Sequence, residues 1–376
     1  MKQPFRFGQV AWGDFFINRE KEKLRLSRNF SAGVNTIVIS PRRYGKSSLI
    51  RQIAKEYTEQ NSQIRFCFLD LFNVQSENDF YRLYAKAVIS SVSSKTEEAI
   101  QTVKDVFKTL IPQISLSADP VSEIELSFHT NELKRSPEEI INLAETVALK
   151  KGIKIVVCLD EFQNICHYEN PLAFQKKLRA NWQLHSHATY CLYGSRQSMM
   201  TELFTSRKMP FYHFGDLFYL ERIEKEPLVH FVTDRFAKTG KSISPELAEK
   251  IVDNMERHPH YVQHLAHIVW QTAKEQATEE DVTASLDILI YSYVPLFQRV
   301  YEDLSRVQIA YLKALCDGIT DHFSNREIIE QYQFGSSANL LKAVEALDKK
   351  EIIDKMVSRI EFLDPVFKIW FKRNIN

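Results

Sequence analysis

The sequence lacks any excess of charge of one sign: 49 lysines and arginines face 48 aspartates and glutamates, for a formal net charge of +1. That excludes a global basic field of the kind that gathers nucleic acid, and leaves only a local patch open. Cysteine is scarce. The five are odd in number and scattered, and no CxxC pair occurs, which excludes both a disulfide framework and a zinc ribbon. Cys67, Cys158 and Cys191 each fall inside an apolar, strand-like run, where a thiol acts as a small hydrophobe. A reducing compartment follows. No uninterrupted apolar segment reaches the ~18–20 residues needed to span a bilayer. The opening stretch, MKQPFRFGQV, lacks the apolar core of a signal peptide. The expectation is a soluble, cytoplasmic protein with no membrane partner. Internal repeats and low-complexity linkers are missing too, so domain boundaries are soft by several residues.

What is present is a chain of 376 residues, long enough for two or three domains around a sizeable core. Five short runs read as buried strands of a parallel sheet: TIVIS (36–40), IRFCFLDL (64–71), IKIVVCLD (153–160), TYCLYGS (189–195) and LFYLERI (217–223). They are continuous rather than alternating, as in strands covered on both faces by helices. Helical patterns such as SSLIRQIAKEYTEQ and FYRLYAKAVISSV separate them, and this alternation predicts an α/β nucleotide-binding architecture. QISLSADPVSEIELSF (113–128) alternates about an Asp-Pro turn and predicts an inserted β-hairpin.

Beyond about residue 224 the pattern is helical. Gly240 predicts a C-terminal cap, Ser244-Pro245 a helix start, HPHYVQHLAHIVWQ a third helix, and Thr278 the cap of a fourth, together a small lid. The last ~80 residues predict a winged helix-turn-helix. Its first helix shows an apolar face at Val307, Tyr311 and Leu315, NREIIEQY gives a second, SSANLLKAVEALDKK a third with Leu340, Leu341, Val344 and Leu347 expected inward, and EIIDKM with SRIEFL a tight wing. The expected division is a nucleotide-binding α/β domain over 1–224, a lid over 225–292 and a winged helix over 293–376.

SPRRYGKSSLI follows the first strand directly and has the spacing of a phosphate-binding loop, with Ser40 in place of the opening glycine. In such a loop, backbone N–H groups curl around the β-phosphate and the helix N-terminus adds its positive dipole end. The candidate nucleotide-binding segment is therefore Ser40, Pro41, Arg42, Arg43, Tyr44, Gly45, Lys46, Ser47 and Ser48. Lys46 is placed for the β- and γ-phosphates and the Ser47 hydroxyl for Mg²⁺. Gly45 avoids crowding them, and a small serine suffices to close the turn at position 40. The Arg42 and Arg43 side chains read as surface or partner contacts, because the loop works through its backbone.

IKIVVCLDEFQ puts Asp160 and Glu161 at the carboxyl end of a strand, where a parallel sheet binds its ligands. Asp160 is the candidate to hold Mg²⁺, through water or Ser47, and Glu161 to orient and polarise the attacking water. The fourth strand ends in YGSRQS, which places Ser195 or Arg196 as a γ-phosphate sensor. Arg196 reads equally well as a solvated surface arginine.

FINREKEKLRL (16–26), ISPRRYGKSSLI, LDEFQNI, YGSRQSMM, RHPHYVQHLA and the closing LDPVFKIWFKR, taken in this order, resemble the prokaryotic archaeal-type AAA ATPases, relatives of the origin-recognition AAA+ proteins and the STAND signalling ATPases. The resemblance spans nearly the whole chain. It implies a P-loop NTPase fold of the AAA+/ASCE type with ATP or ADP and Mg²⁺ as cofactors. The adenine preference comes from the resemblance alone. The segment Asn18-Arg19-Glu20 resembles the family's N-terminal box beside the adenine. His258-Pro259 resembles the lid motif near the nucleotide, which usually has a glycine before it. Arg196 takes the place of an arginine that reads the γ-phosphate in STAND proteins, although many members of the closer family carry none there. The lid offers no clear sensor arginine, a departure from origin-recognition proteins that puts ring-type hydrolysis in doubt.

Two patterns are set aside. His260, His264 and His267 share a helix face, but no carboxylate or cysteine completes a zinc set, and packing by Tyr261, Leu265 and Trp270 explains the segment. Cys316 and the serines and histidines show no nucleophile elbow or triad. The third winged-helix helix interleaves Lys342, Lys349 and Lys350 with Glu345 and Asp348, and the wing is short. That leans towards protein contact or self-association over DNA. The function expected is an ATP-binding, slowly hydrolysing switch that moves lid and winged helix. The alternatives are a DNA-binding ATPase helper in replication, recombination or mobile-element biology, and a nucleotide-dependent assembly scaffold in defence or signalling.

Overall fold

A computed structural model describes residues 3–92, 115–117, 125–127, 137–323, 325–356 and 359–375. The chain divides into two compact units. An α/β unit comprises Arg19–Arg42 and Lys46–Leu220, and a helical unit comprises Met1–Asn18, Arg43–Gly45 and Glu221–Asn376.

The α/β unit follows the alternation of apolar runs and amphipathic segments: α1 (Glu20–Ala32), β1 (Thr36–Ile39), α2 (Lys46–Gln60), β2 (Ile64–Asp70) and α3 (Glu77–Val92). A separate short pair, β3 (Ser115–Ser117) and β4 (Glu125–Ser127), comes next. It is followed by α4 (Pro137–Ile141), α5 (Leu143–Lys151), β5 (Lys154–Asp160), α6 (Pro171–Trp182), β6 (Ala188–Gly194), α7 (Gln197–Thr205) and β7 (Asp216–Tyr219). The parallel sheet has the order β2-β5-β6-β1-β7. Its inner strands β5 and β6 are buried almost throughout, whereas edge strand β2 leaves Phe66 and Phe68 half-buried, with Phe68 under the Arg51 guanidinium. Register fixes the chemistry. Ile39 pairs with Gly194 and Leu159 with Leu192, so the chain leaves β1, β5 and β6 at one edge of the sheet.

The expected hairpin is present as β3 and β4, antiparallel with Leu116 opposite Leu126, while its Asp119-Pro120 turn lies outside the described residues. The fifth strand is shorter than expected. It ends at Tyr219, not at residue 223, because its neighbour β1 turns away at Ser40-Pro41 after a last bond from Leu220 N to Ile39 O of 2.8 Å.

In the helical unit, α8 (Lys225–Ala237), α9 (Pro245–Asn254), α10 (Pro259–Thr272) and α11 (Glu279–Glu302) form the lid. Its termini are set by local chemistry. Gly240 takes φ +77° in a Schellman turn, with Lys241 N on Phe236 O and Gly240 N on Ala237 O, both 3.1 Å. Ser244 Oγ accepts from Leu247 N, and Thr278 and Asp281 form a reciprocal capping box. The winged helix consists of α12 (Arg306–Cys316), α13 (Arg326–Gln331), α14 (Ser337–Lys349), the wing β8 (Ile353–Met356) and β9 (Arg359–Phe362), and α15 (Pro365–Ile375). α11 runs on through Pro295 to Glu302, so the expected lid boundary at 292 falls inside one helix. The carbonyl that Pro295 leaves without a partner belongs to Tyr291, an exposed residue on the solvent side. The core of this unit joins lid and winged-helix side chains, among them Phe236, Leu265, Leu289, Phe297, Phe367 and Phe371. No helix of the described residues is long and apolar enough to cross a membrane.

Candidate functional site

Within the α/β unit the candidate residues converge on the sheet edge. Lys46 opens α2 and is 6% exposed, with its ammonium 3.5 Å from Glu161 Oε1. Ser47 Oγ donates to Asp160 Oδ2 at 2.6 Å. Asp160 Oδ1 accepts from Glu161 N at 2.9 Å, which fixes the carboxylate against its own strand end. Asp70, the last residue of β2, lies beside Asp160 in register. Burial pushes the Asp160 carboxyl above its ordinary pKa, and the Lys46 charge and Ser47 hydroxyl offset only part of that.

Glu161 sits in the left-handed region at φ +50°, which turns its side chain off the strand direction. Its Oε2 accepts from Gln163 Nε2 at 2.5 Å and from Ser195 Oγ at 2.8 Å. The Ser195 hydroxyl also accepts from Arg42 Nε at 3.4 Å. Burial acts to raise the Glu161 carboxyl, but Lys46 and the donors Gln163 and Ser195 outweigh it, and the pKa lies below its ordinary value. Gln163 has this reach only because residue 194 is a glycine: a Cβ there would lie 2.0 Å from Gln163 Oε1. Arg196 is exposed and leans on Met199 Sδ at 3.8 Å, with no ion pair among the described residues.

The loop tip belongs to the helical unit. Arg43 takes φ +64° and Gly45 φ +92°, the alternation that lets successive N–H groups face one ligand. Tyr44 is buried edge-on against His258, with ring centroids 5.0 Å apart. His258 caps α10 and is 2% exposed, and Pro259 is the first helical residue. Burial, then the charges of His260, Arg222 and Arg43, hold the His258 imidazole well below its usual pKa and therefore neutral. Asn18 and Arg19 take φ +30° and +98°, and Arg19 pairs with Glu22 at 2.9 Å.

A family model described as an ATPase domain found predominantly in Archaea matches residues 16–265, two-thirds of the chain and the whole stretch that carries these residues. The chain belongs to that family. A second model, a probable winged helix domain, matches residues 295–373. Among solved structures, the Walker-type ATPase PabY2304 of Pyrococcus abyssi superposes with a TM-score of 0.65 at 16% identity, covering 96% of this chain and 97% of that one. The Aeropyrum pernix ORC2 protein in its ADPNP-ADP complexes gives 0.55 at 13%, covering 100% and 98%. The Aeropyrum pernix ORC1 protein in complex with DNA gives 0.50 at 12%, covering 96% and 94%. At these identities the likeness is one of fold: an α/β P-loop domain with a C-terminal winged helix. No curated protein matches the chain in sequence.

Sequence reasoning brings Lys46, Ser47, Asp160, Glu161 and Ser195 to one place, and misses two residues in this family member. Gln163 lies within the quoted LDEFQ, but its orientation depends on the turn at Glu161. Arg222 sits in a run read as strand, and its Nε donates to Tyr44 Oη at 3.0 Å. No local pattern marks it. The Arg43 side chain, read as a surface or partner contact, is exposed and donates within the chain to Tyr261 Oη at 3.3 Å.

Proposed function

We propose that this chain is an ATP-binding, slowly hydrolysing molecular switch of the AAA/STAND type, whose nucleotide state sets the position of its lid and winged helix. The observation that carries it is the joined pair of contacts at the sheet edge, Ser47 on Asp160 at 2.6 Å and Lys46 on Glu161 at 3.5 Å. Membership of an ATPase family supports it, as does the shared fold of an ORC2 protein solved with ADPNP and ADP.

The donor set fits Mg²⁺. A hydroxyl and a carboxylate are hard oxygen ligands, and the raised pKa of Asp160 marks a buried carboxylate short of positive charge. Ser47 and Asp160 would hold magnesium, which would supply positive charge to offset that of the phosphates. Lys46 exchanges one anionic partner for another: in leaving Glu161 for the β- and γ-phosphates it frees Oε1. Oε2 stays held by Gln163 and Ser195, so the freed oxygen is the one that orients water and takes its proton. Arg196, exposed at the start of α7, is the candidate to read the γ-phosphate. Asn18 and Arg19 are assigned to the adenine side, and His258-Pro259 to the lid contact with the nucleotide.

Lys46→Ala is expected to abolish ATP binding. Glu161→Gln is expected to bind ATP but to lose about 100-fold or more in single-turnover hydrolysis. Turnover by Glu161→Gln at the wild-type rate would remove Glu161 from the water-activating role.

For the winged helix, the reading favoured is a protein contact or self-association surface. Leu341 supports it: expected inward, it is instead 54% exposed on the outer side of α14 while Leu340, Val344 and Leu347 are buried, and a phosphate-facing helix gains nothing from an apolar side chain there.

A further inference from the structure

Two polar bridges in the helical unit end on the phosphate-loop tip, and the proposed reaction uses neither. In the first, Arg43 Nη1 donates to Tyr261 Oη at 3.3 Å, and the Tyr261 hydroxyl donates to Asp364 Oδ2. Asp364 is itself fixed, since its Oδ1 caps α15 by accepting from Val366 N at 2.9 Å and Phe367 N at 3.0 Å. The second bridge centres on Arg222. Its Nε donates to Tyr44 Oη at 3.0 Å, its Nη1 to Glu256 O at 3.1 Å and Oε2 at 3.2 Å, and its Nη2 pairs with Glu361 Oε1 at 2.9 Å. Lys368 closes the circuit on Glu256 at 2.6 Å. Between the two bridges lies His258, with ring centroids 5.0 Å from Tyr44 and 4.9 Å from Tyr261.

Three cations, Arg43, Arg222 and Lys368, thus meet three anions, Glu256, Glu361 and Asp364. Glu361, Asp364 and Lys368 come from the wing and α15, Glu256 and Tyr261 from the lid, and Arg43 and Tyr44 from the loop. Charge-assisted bonds of this kind fix geometry more strictly than apolar packing does. Their loop end is backbone that needs fixing. Arg43 holds a left-handed φ of +64° that a β-carbon disfavours, and only Gly45 separates Tyr44 from Lys46.

We propose that Arg222 and Tyr261 are positioning residues for the phosphate loop, anchored to the winged helix through Glu361 and Asp364, so that the placement of the winged helix sets nucleotide affinity. The proposal rests on the P-loop reading. Linkage makes the coupling reciprocal: a partner that pulls Glu361 and Asp364 away loosens the nucleotide, and bound nucleotide resists the pull.

The test is ATP affinity, measured with a fluorescent ATP analogue, alongside steady-state KM and kcat. Tyr261→Phe removes one hydroxyl and keeps the ring. Glu361→Gln removes one charge at a half-buried position, and serves if Tyr261→Phe fails to fold. Each is expected to weaken binding by about threefold to tenfold and to raise KM in step, with kcat within about twofold. Tyr44→Phe combined with Glu361→Gln is expected to lose no more than the worse single variant, because both cut one bridge. Wild-type affinity in both single variants, or fully additive losses in the double, would overturn the coupling. Lys46→Ala separates the two readings. If wild type binds ATP, Lys46→Ala does not, and the bridge variants match wild type, then the coupling alone fails. If Lys46→Ala binds as tightly as wild type, the P-loop reading fails with it.

Discussion

At the residue scale, ten of the described residues other than glycine hold left-handed backbone, and Glu161 and Arg257 differ in what they gain by it. Glu161 adopts φ +50° where its carboxylate must leave the strand axis, and three hydrogen-bonding or ionic partners hold it there. Strain at a candidate catalytic position is offset by the contacts that it makes possible. Arg257 has no such return. It takes φ +60°, is exposed, and stands before His258-Pro259, where the motif that it resembles usually has glycine. The left-handed penalty is about 1 kcal/mol and is only partly balanced by the extra freedom of glycine in the unfolded chain. Arg257→Gly is therefore expected to stabilise the protein by roughly 0.5–1 kcal/mol, read as a higher denaturant midpoint at unchanged m-value. A lower midpoint would show that the arginine side chain makes a stabilising contact that this geometry does not contain.

At the element scale, what was legible depended on how local the cause is. Caps at Ser244, Gly240 and Thr278 are written in two to four consecutive residues, and the helices begin and end there. The strand runs were equally plain, because burial on both faces demands unbroken apolar sequence. The end of β7 was not, since it is set by the turn of β1 at Pro41, about 180 residues away in sequence. The passage of α11 through Pro295 was illegible for a similar reason, because it depends on which side of the helix faces water. The three histidines of α10 and the His258 that caps it give this scale its prediction. His260 is pushed down to about 3 by burial and the Arg43 charge, His264 to about 4 by burial and His267, and His258 well below the usual range. Phe7 stacks on His264 and packs near His260 and His267, and Tyr261 and Tyr293 border the same face. A folded pKa below the unfolded value of about 6.5 means that the unfolded chain takes protons up first, so stability is complete above that pH and falls below it. The slope is about 1.4 kcal/mol per pH unit for each histidine kept neutral. His258 and His260, the most enclosed, dominate. The denaturant midpoint is expected to drop between pH 7 and pH 5, and His260→Gln to flatten that drop. Equal midpoints at both pH values would show that these rings take up protons as readily in the fold as in the unfolded chain.

At the scale of the whole molecule, the order of motifs along the chain pointed to an α/β P-loop fold with lid and winged helix, and it did so because a parallel sheet leaves little choice about which loops share an edge. The polar bridges were beyond reach, because Tyr44, Arg222, Tyr261 and Glu361 are joined only by folding and none stands out in its own neighbourhood. Charge balance decides the last question. With a net charge of +1, no global field favours DNA, so any affinity must come from a local patch, and the winged helix is the candidate for one. The outer side of α14 sets Lys342 and Lys349 against Glu345, with Leu341 exposed among them. Few phosphates can be neutralised by such a face. Anisotropy of a labelled duplex, with and without ATP, is expected to show no binding at about 150 mM salt and a salt slope of fewer than about three phosphates at lower salt. A steep slope with retention at physiological salt would move the winged helix to a DNA-binding role. In that case Lys342→Glu should abolish the retention while leaving ATP binding unchanged, because the DNA contact and the phosphate loop draw on different side chains.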